Sequence, residues 1–241
     1  MPTVLVTGAA NGLGAAFIEA YRKQPDTDIL ALDRQPITSS HQNVKSFVVD
    51  VTSQKSIGSF AETVTNQPID LLIHSAGVRG LVPAAEDRHP NDVAACETMD
   101  VMDMETMNRT FHINATGTFM LLRAVTPNLR MAQSSKVIVM SSRMGSLGNN
   151  QTGIRASGSA YAYRASKAAL NAMIRSFAVD VEDVTFVLCH PGRVETRLVR
   201  CFEEGAITAD ESVSGLLPLI DQWDRNDSGK FYDRFGDPIQ W

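Results

Sequence analysis

Tyr163 and Lys167 stand four residues apart in the stretch YRASKAALNAMI. Four residues make one helical turn, so on a helix the phenol and the ammonium project from the same face. An isolated phenol titrates near pH ~10, and a nearby cation favours its ionised form. Such a pair can give and take a proton near neutral pH. Near the start of the chain, TGAANGLG sets Gly8, Gly12 and Gly14 in a tight turn, with Asn11 and Leu13 between them. Glycine lets a backbone turn sharply and approach a ligand without a Cβ clash. A helix after such a turn offers free N–H groups and a positive dipole end to a pyrophosphate. Neither pattern is specific alone, because short motifs recur by accident and a Tyr and a Lys can share an ordinary solvated face.

The surrounding elements supply the context. Apolar runs TVLVTG, DILALD, VKSFVVD, IDLLIHSAG, KVIVMSS, VTFVLCHPG and KFYDR read as seven strands. Most are nearly continuous in apolar residues, as strands buried on both faces are. Helical stretches fall at 12–24, 53–66, 103–132, 157–180 and 210–223. Strand and helix in alternation predict an α/β fold. It is a Rossmann-type doubly wound parallel sheet of seven strands with helices on both faces, spanning residues 1–241 as one domain. The glycine turn has the required strand before it and helix after it. Asp33 ends the second strand nineteen residues after Gly14, near the distance at which a carboxylate accepts hydrogen bonds from ribose hydroxyls. It would repel a 2′-phosphate, which predicts NAD as the preferred cofactor. Arg34 leaves NADP open, since a guanidinium binds phosphate. Long irregular regions at about 78–101 and 143–157 would sit beyond the strand ends, where ligands bind in such sheets.

Composition excludes several classes. The net charge is −5 and no basic stripe appears, which argues against nucleic acid as a partner. No apolar run reaches the length of a membrane span, and the N-terminus lacks the pattern of a signal peptide. Cys96, Cys189 and Cys201 show no CxxC spacing and read as reduced thiols of a cytoplasmic protein. Scattered histidines offer no metal pattern, so no metal is expected.

Taken together, these residues resemble the short-chain dehydrogenase/reductase family over essentially the whole chain, most closely its C-factor-like carbonyl reductase branch. TGAANGLG is similar to the family's TGxxxGxG turn. Asp50 and Val51 resemble the pair that contacts adenine. HSAG, with Ser75, Ala76 and Gly77, stands where the family usually has NNAG, so the bracing its Asn side chains provide must differ here. HPGRVET resembles the PGxVxT segment, which implies cofactor contacts for Pro191, Gly192, Val194 and Thr196, the last holding the nicotinamide carboxamide. The resemblance implies Asn114, Ser142, Tyr163 and Lys167 as catalytic residues. Ser141 is a neighbouring alternative that strand alternation argues against. Tyr161 is set aside because Ala165 follows it four residues on.

By that resemblance Ser142 orients a substrate carbonyl and Tyr163 exchanges a proton with its oxygen. Lys167 assists the phenol and holds the nicotinamide ribose, so both Tyr163 and Lys167 also touch the cofactor. Asn114 binds a water that links Lys167 to solvent, and a mid-helix Asn suggests a local kink. The implied activity is hydride transfer between a nicotinamide cofactor and a small alcohol or carbonyl. Two alternatives stay open: a non-catalytic dinucleotide sensor on the same fold, and a reductase of carrier-bound acyl groups. Ser142 and Tyr163 lie 21 residues apart, and the polar loop between them is expected at the substrate mouth. Asn150 and Arg155 are read as solvated residues of that loop, with contact to a polar substrate group as the alternative. The segment 193–210 is short for a lid and suggests an open pocket. Apolar residues on more than one face of the helices at 103–132 and 157–180, among them Met120, Leu122, Met173 and Phe177, predict a homodimer or homotetramer.

Overall fold

A computed structural model describes residues 1–24, 26–38, 41–153, 158–199, 201 and 204–241. Seven strands form one parallel sheet: β1 (Thr3–Thr7), β2 (Asp28–Asp33), β3 (Val44–Val48), β4 (Leu71–His74), β5 (Lys136–Met140), β6 (Thr185–His190) and β7 (Lys230–Asp233). Their spatial order is β3-β2-β1-β4-β5-β6-β7. The order reverses between β1 and β4, which opens a crevice at the carboxyl ends of those strands.

Register explains why both faces are apolar. Ala31, Val6, Ile73, Ile138 and Val187 form one row across five strands. That row packs under α1 (Gly12–Tyr21) and α7 (Ala209–Gln222), with Phe17, Leu216 and Trp223 in the same cluster. The neighbouring row, Leu30, Leu5, Leu72, Val137 and Phe186, points to the other face. There α2 (Gln54–Thr63), α5 (Thr118–Met131) and α6 (Tyr161–Asp180) cover it, through Phe60, Leu121, Leu122 and Ile174. Side chains alternate between faces along a strand, so continuous apolar strands demand helices on both sides.

Local chemistry starts several helices. Ser53 caps α2, Asp103 caps α4 (Met104–Phe111) and Thr208 caps α7, each accepting from a backbone N–H of the first turn. The helix expected over 103–132 is interrupted: α4 passes into a π-helical turn, His112–Gly117, before α5. Asn114 and Gly117 lie in it, both poor helix formers. A Cβ on Gly117 would stand 2.7 Å from the Val51 carbonyl oxygen, so the turn packs against the β3–α2 connection as only glycine allows. Two other expectations change. A short helix, α3 (Pro83–Arg88), lies inside the region read as irregular, started by a proline that is favourable in a first turn. And α6 begins at Tyr161, because Ser159 and Ala160 both take left-handed backbone (φ 52°) that no helix continues through.

Candidate active site

A cleft of about 1060 Å³ lies at the switch point between β1 and β4 and runs across the carboxyl ends of the strands. Its size suits a dinucleotide with a small molecule beside it. The catalytic and cofactor-binding residues expected from the sequence all line it, except Gly14 and Asn114.

At one end sits the glycine turn. Gly8 has φ +66° and Gly12 φ +55°, a region open to glycine. A Cβ on Gly8 would meet the Ala76 backbone nitrogen at 2.9 Å, and one on Gly12 would meet Thr196 Cγ2 at 2.9 Å. Gly14 faces inward, where a Cβ would stand 2.2 Å from the Gly8 carbonyl oxygen. Asn11 precedes α1 without a side-chain cap, and no acidic residue occupies the first turn. The first N–H groups of α1 are therefore left for an anion. Asp33 is locked in place: one carboxylate oxygen accepts from Ala10 N at 3.0 Å and the other from Gln35 N at 2.9 Å. Arg34 is exposed beside it. The Asp50 carboxylate accepts from the backbone and hydroxyl of Thr52, which holds its pKa below the ordinary value. The residues at this end fit a dinucleotide by their shape and donors: an open helix N-terminus, glycines where a Cβ would obstruct, and an oriented carboxylate.

At the other end Ser142, Tyr163 and Lys167 are buried in the wall, each about 5–6% exposed. The one-turn spacing on α6 brings Lys167 Nζ to 5.8 Å from the Tyr163 ring centroid. Nζ donates to the Met140 carbonyl at 2.8 Å. Burial lowers the pKa of Lys167 to about 8. Ser142 Oγ accepts from Met144 N at 3.2 Å, which leaves its hydrogen for an acceptor in the cleft. Ser141 donates instead to Asn171 Oδ1 at 2.5 Å, toward α6. Tyr161 is 43% exposed and absent from the cleft lining.

Asn114 is fully buried behind the wall. Its side-chain oxygen accepts from Val78 N at 2.8 Å, and its amide donates to Val78 O at 2.9 Å and Ser166 Oγ at 3.0 Å. It thus clamps the segment after β4 to α6. Gly77 completes the join, since a Cβ there would lie 3.1 Å from Asn114 Oδ1 and 3.7 Å from Lys167 Nζ.

Other residues of the site have no role assigned from the sequence, although the departure at HSAG marks the bracing as different. His74 occupies the bracing position of HSAG: Nδ1 lies 3.0 Å from Thr7 Oγ1 and Nε2 lies 2.8 Å from Thr118 Oγ1. Arg79 lies over the Tyr163 ring, with Cζ 4.9 Å from its centroid, and pairs with Glu97. His190, just before Pro191, is buried, and burial lowers its pKa to about 3. Asn150 is exposed, and its oxygen accepts from Gly158 N at 2.8 Å, a contact internal to the loop. Arg155 lies outside the described residues. Among the described residues no helix is long and apolar enough to cross a membrane, and no three His, Cys, Asp or Glu side chains converge as a metal site would require.

The profile of the family described as short chain dehydrogenase matches residues 2–206. The chain is 38% identical to the C-signal of Myxococcus xanthus, over 76% of this chain and 99% of that protein. It is 31% identical to the 1-hydroxy-2-glutathionyl-2-methyl-3-butene dehydrogenase of Rhodococcus sp. (strain AD45), over the full length of both. Among solved structures, an NADPH-bound carbonyl reductase from chicken fatty liver superposes with a TM-score of 0.85 at 27% identity, covering 100% of this chain and 99% of that one.

Proposed function

We propose, for a chain that belongs to the short-chain dehydrogenase family and is a nicotinamide-dependent oxidoreductase, that Tyr163 exchanges the proton in the interconversion of a small alcohol and its carbonyl. The observation that carries this reading is the burial of Tyr163 and Lys167 side by side, one helical turn apart, in the wall of the cleft that the glycine turn opens. A nicotinamide dinucleotide held by the glycine turn, Asp33, Ala76 and the Pro191–Thr196 segment supplies or takes the hydride. Ser142 donates its hydroxyl hydrogen to the substrate oxygen and so orients the carbonyl. Tyr163 gives its proton to that oxygen in reduction and recovers it in oxidation. Lys167 stabilises negative charge on the phenol oxygen and reaches the ribose hydroxyls. Asn114 acts through Val78 and Ser166, holding the segment after β4 against α6.

NAD is the preferred cofactor in this reading, because Asp33 ends β2 with both carboxylate oxygens fixed by backbone donors, and a carboxylate there accepts from ribose hydroxyls and repels a 2′-phosphate. NADP is the rival, supported by exposed Arg34 and by the NADPH carried by the chicken carbonyl reductase. The protein works as a homodimer or homotetramer. Phe119 on α5 and Val179 on α6 are 37% and 63% exposed and would be covered by a second copy; a monomeric mass in light scattering at micromolar concentration would rule this out. The activity reading is tested with a panel of ketones and alcohols and each cofactor. Tyr163→Phe should reduce turnover roughly 10²-fold or more with cofactor affinity near normal, and Tyr161→Phe should do much less. The reverse order would defeat the assignment.

A further inference from the structure

Lys167 is not the only cation at Tyr163. The Arg79 guanidinium carbon lies 4.9 Å from the ring centroid, within the range of an attractive cation–π contact. Two donors of its fork are held by one carboxylate: Nε to Glu97 Oε2 and Nη2 to Glu97 Oε1, each at 2.8 Å. A third, Nη1, reaches Met144 Sδ at 3.1 Å. The Arg79 and Glu97 side chains are only 14% and 7% exposed. A buried ion pair contributes little net stability, because desolvation offsets the attraction. Its charges nevertheless act strongly on a neighbour, since little water screens them.

Glu97 also governs where α6 begins. Its carbonyl oxygen accepts from Ala160 N at 2.9 Å and from Ser159 Oγ at 3.0 Å. Those are the two residues held in left-handed backbone directly before the helix, a conformation that persists only when its surroundings fix it. Tyr163 is three residues beyond. On the other side, the Asn114 clamp on Val78 fixes the backbone next to Arg79. One residue, Glu97, thus sets the start of the helix that carries Tyr163 and the cation that lies on its ring.

We propose that the Arg79–Glu97 pair is a positioning element for Tyr163, holding its ring and balancing the charge against which its phenol ionises. This rests on the reading of Tyr163 as the proton carrier. Among the described residues, the charged and titratable groups around the ring are Lys167 and Arg164 on α6, Arg79 after β4, and Glu97. The β5 side contributes uncharged Ser142 and Met144, with Arg143 exposed beyond them, and His190 and His74 are kept neutral by burial. In the wild type Arg79 and Glu97 cancel. Glu97→Gln removes the negative charge held against the guanidinium, and Arg79→Met removes the cation from the ring and leaves the Glu97 carboxylate without it.

Tyrosine ionisation reads this without any substrate. Of the four tyrosines, burial pushes Tyr21 far above the ordinary phenol range. Burial and a bond to Asp227 raise Tyr232 to about 12. In a Tyr161→Phe background the tyrosinate absorbance that grows below that range belongs to Tyr163, and Tyr161→Phe/Tyr163→Phe gives the blank. Glu97→Gln should lower the midpoint and Arg79→Met should raise it, each by about one pH unit or more. The double variant Arg79→Met/Glu97→Gln should return close to the parent. Coincident midpoints in all four proteins, or shifts of the opposite sign, would overturn the proposal. If Arg79→Met does not fold, Glu97→Gln and the double variant, which bury no lone carboxylate, decide it by the same readout. A Tyr163→Phe enzyme that keeps its turnover would defeat the proton-carrier reading whatever the titration gives. An inactive Tyr163→Phe with coincident titrations would defeat the ion-pair proposal alone.

Discussion

Thr7 and His74 are cross-strand neighbours on β1 and β4, and their side chains meet with Oγ1 3.0 Å from Nδ1. Thr7 Oγ1 accepts from Ser75 N at 3.1 Å and Ala76 N at 3.2 Å, so its single hydrogen goes to His74 Nδ1. Thr118 Oγ1 donates to the Asn114 carbonyl at 3.0 Å, so it accepts from His74 Nε2 at 2.8 Å. This chain of donors admits one tautomer of a neutral imidazole. It ties two central strands to the π-helical turn, directly beneath the cleft. Burial, and then the charge of Lys167, lower the His74 pKa to about 3.

The fold should therefore weaken in mild acid. An unfolded histidine binds a proton near pH ~6.5, while His74 and His190 resist it until about pH 3. Between those values the unfolded chain binds more protons, so stability rises with pH across the window and falls as acid is added. Each histidine should contribute about 2 kcal/mol of loss between pH 7 and pH 5. Urea unfolding at both pH values should show it, and His74→Gln should flatten the dependence. An unchanged slope in that variant would mean His74 is not held neutral.

Lys167 should destabilise the protein that needs it. Its buried ammonium has a pKa near 8 against an ordinary value near ~10.4. Between those values the unfolded chain holds the extra proton, so stability rises as pH increases through that window, and the penalty is fully present below it. Lys167→Met should raise the melting temperature at pH 7, by up to about 3 kcal/mol in free energy. The gain should shrink toward pH 10, while cofactor affinity and turnover fall. A variant less stable than wild type at pH 7 would show that the bond to Met140 outweighs desolvation.

Cofactor selectivity should reside at the end of β2. Asp33 is expected to favour NAD(H) over NADP(H) about tenfold, or ~1.4 kcal/mol. Asp33→Ala should erase that preference. Arg34→Ala should weaken NADP(H) selectively if the guanidinium takes the 2′-phosphate. Dissociation constants for both cofactors in the three proteins measure this. Equal binding by the wild type, or unchanged selectivity in Asp33→Ala, would defeat the role of Asp33.

Gly14 should tolerate no side chain. A Cβ there would stand 2.2 Å from the Gly8 carbonyl oxygen, a backbone atom that cannot swing away. Gly14→Ala should cost about 1–3 kcal/mol of stability and weaken binding of either cofactor by displacing the turn. Gly58→Ala, in α2 with nothing within 4 Å of the added carbon, should stabilise by about 0.5–1 kcal/mol. Thermal melts and fluorescence titration of the pair separate the crowding at Gly14 from a general helix effect.

What the sequence determined by itself is local. Continuous apolar strands alternating with amphipathic helices specify the doubly wound sheet, because each strand residue must face one helical layer or the other. The one-turn spacing of Tyr163 and Lys167, and the glycines between β1 and α1, act over a few residues and are legible as spacing. The tertiary structure decided what depends on distant partners. His74 meets Thr7 across 67 residues and Thr118 across 44, so its bracing role has no local pattern. Arg79 and Glu97 lie 18 residues apart within a region that reads as irregular, and only folding lays their pair on Tyr163. Asn114 was singled out by its surroundings in the sequence, yet its side chain turns to Val78 and Ser166 behind the cleft. The start of α6 could not be read either, because neither Ser159 nor Ala160 favours left-handed backbone on its own. The carbonyl of Glu97 holds them in left-handed backbone, and that contact exists only once the two segments are packed together.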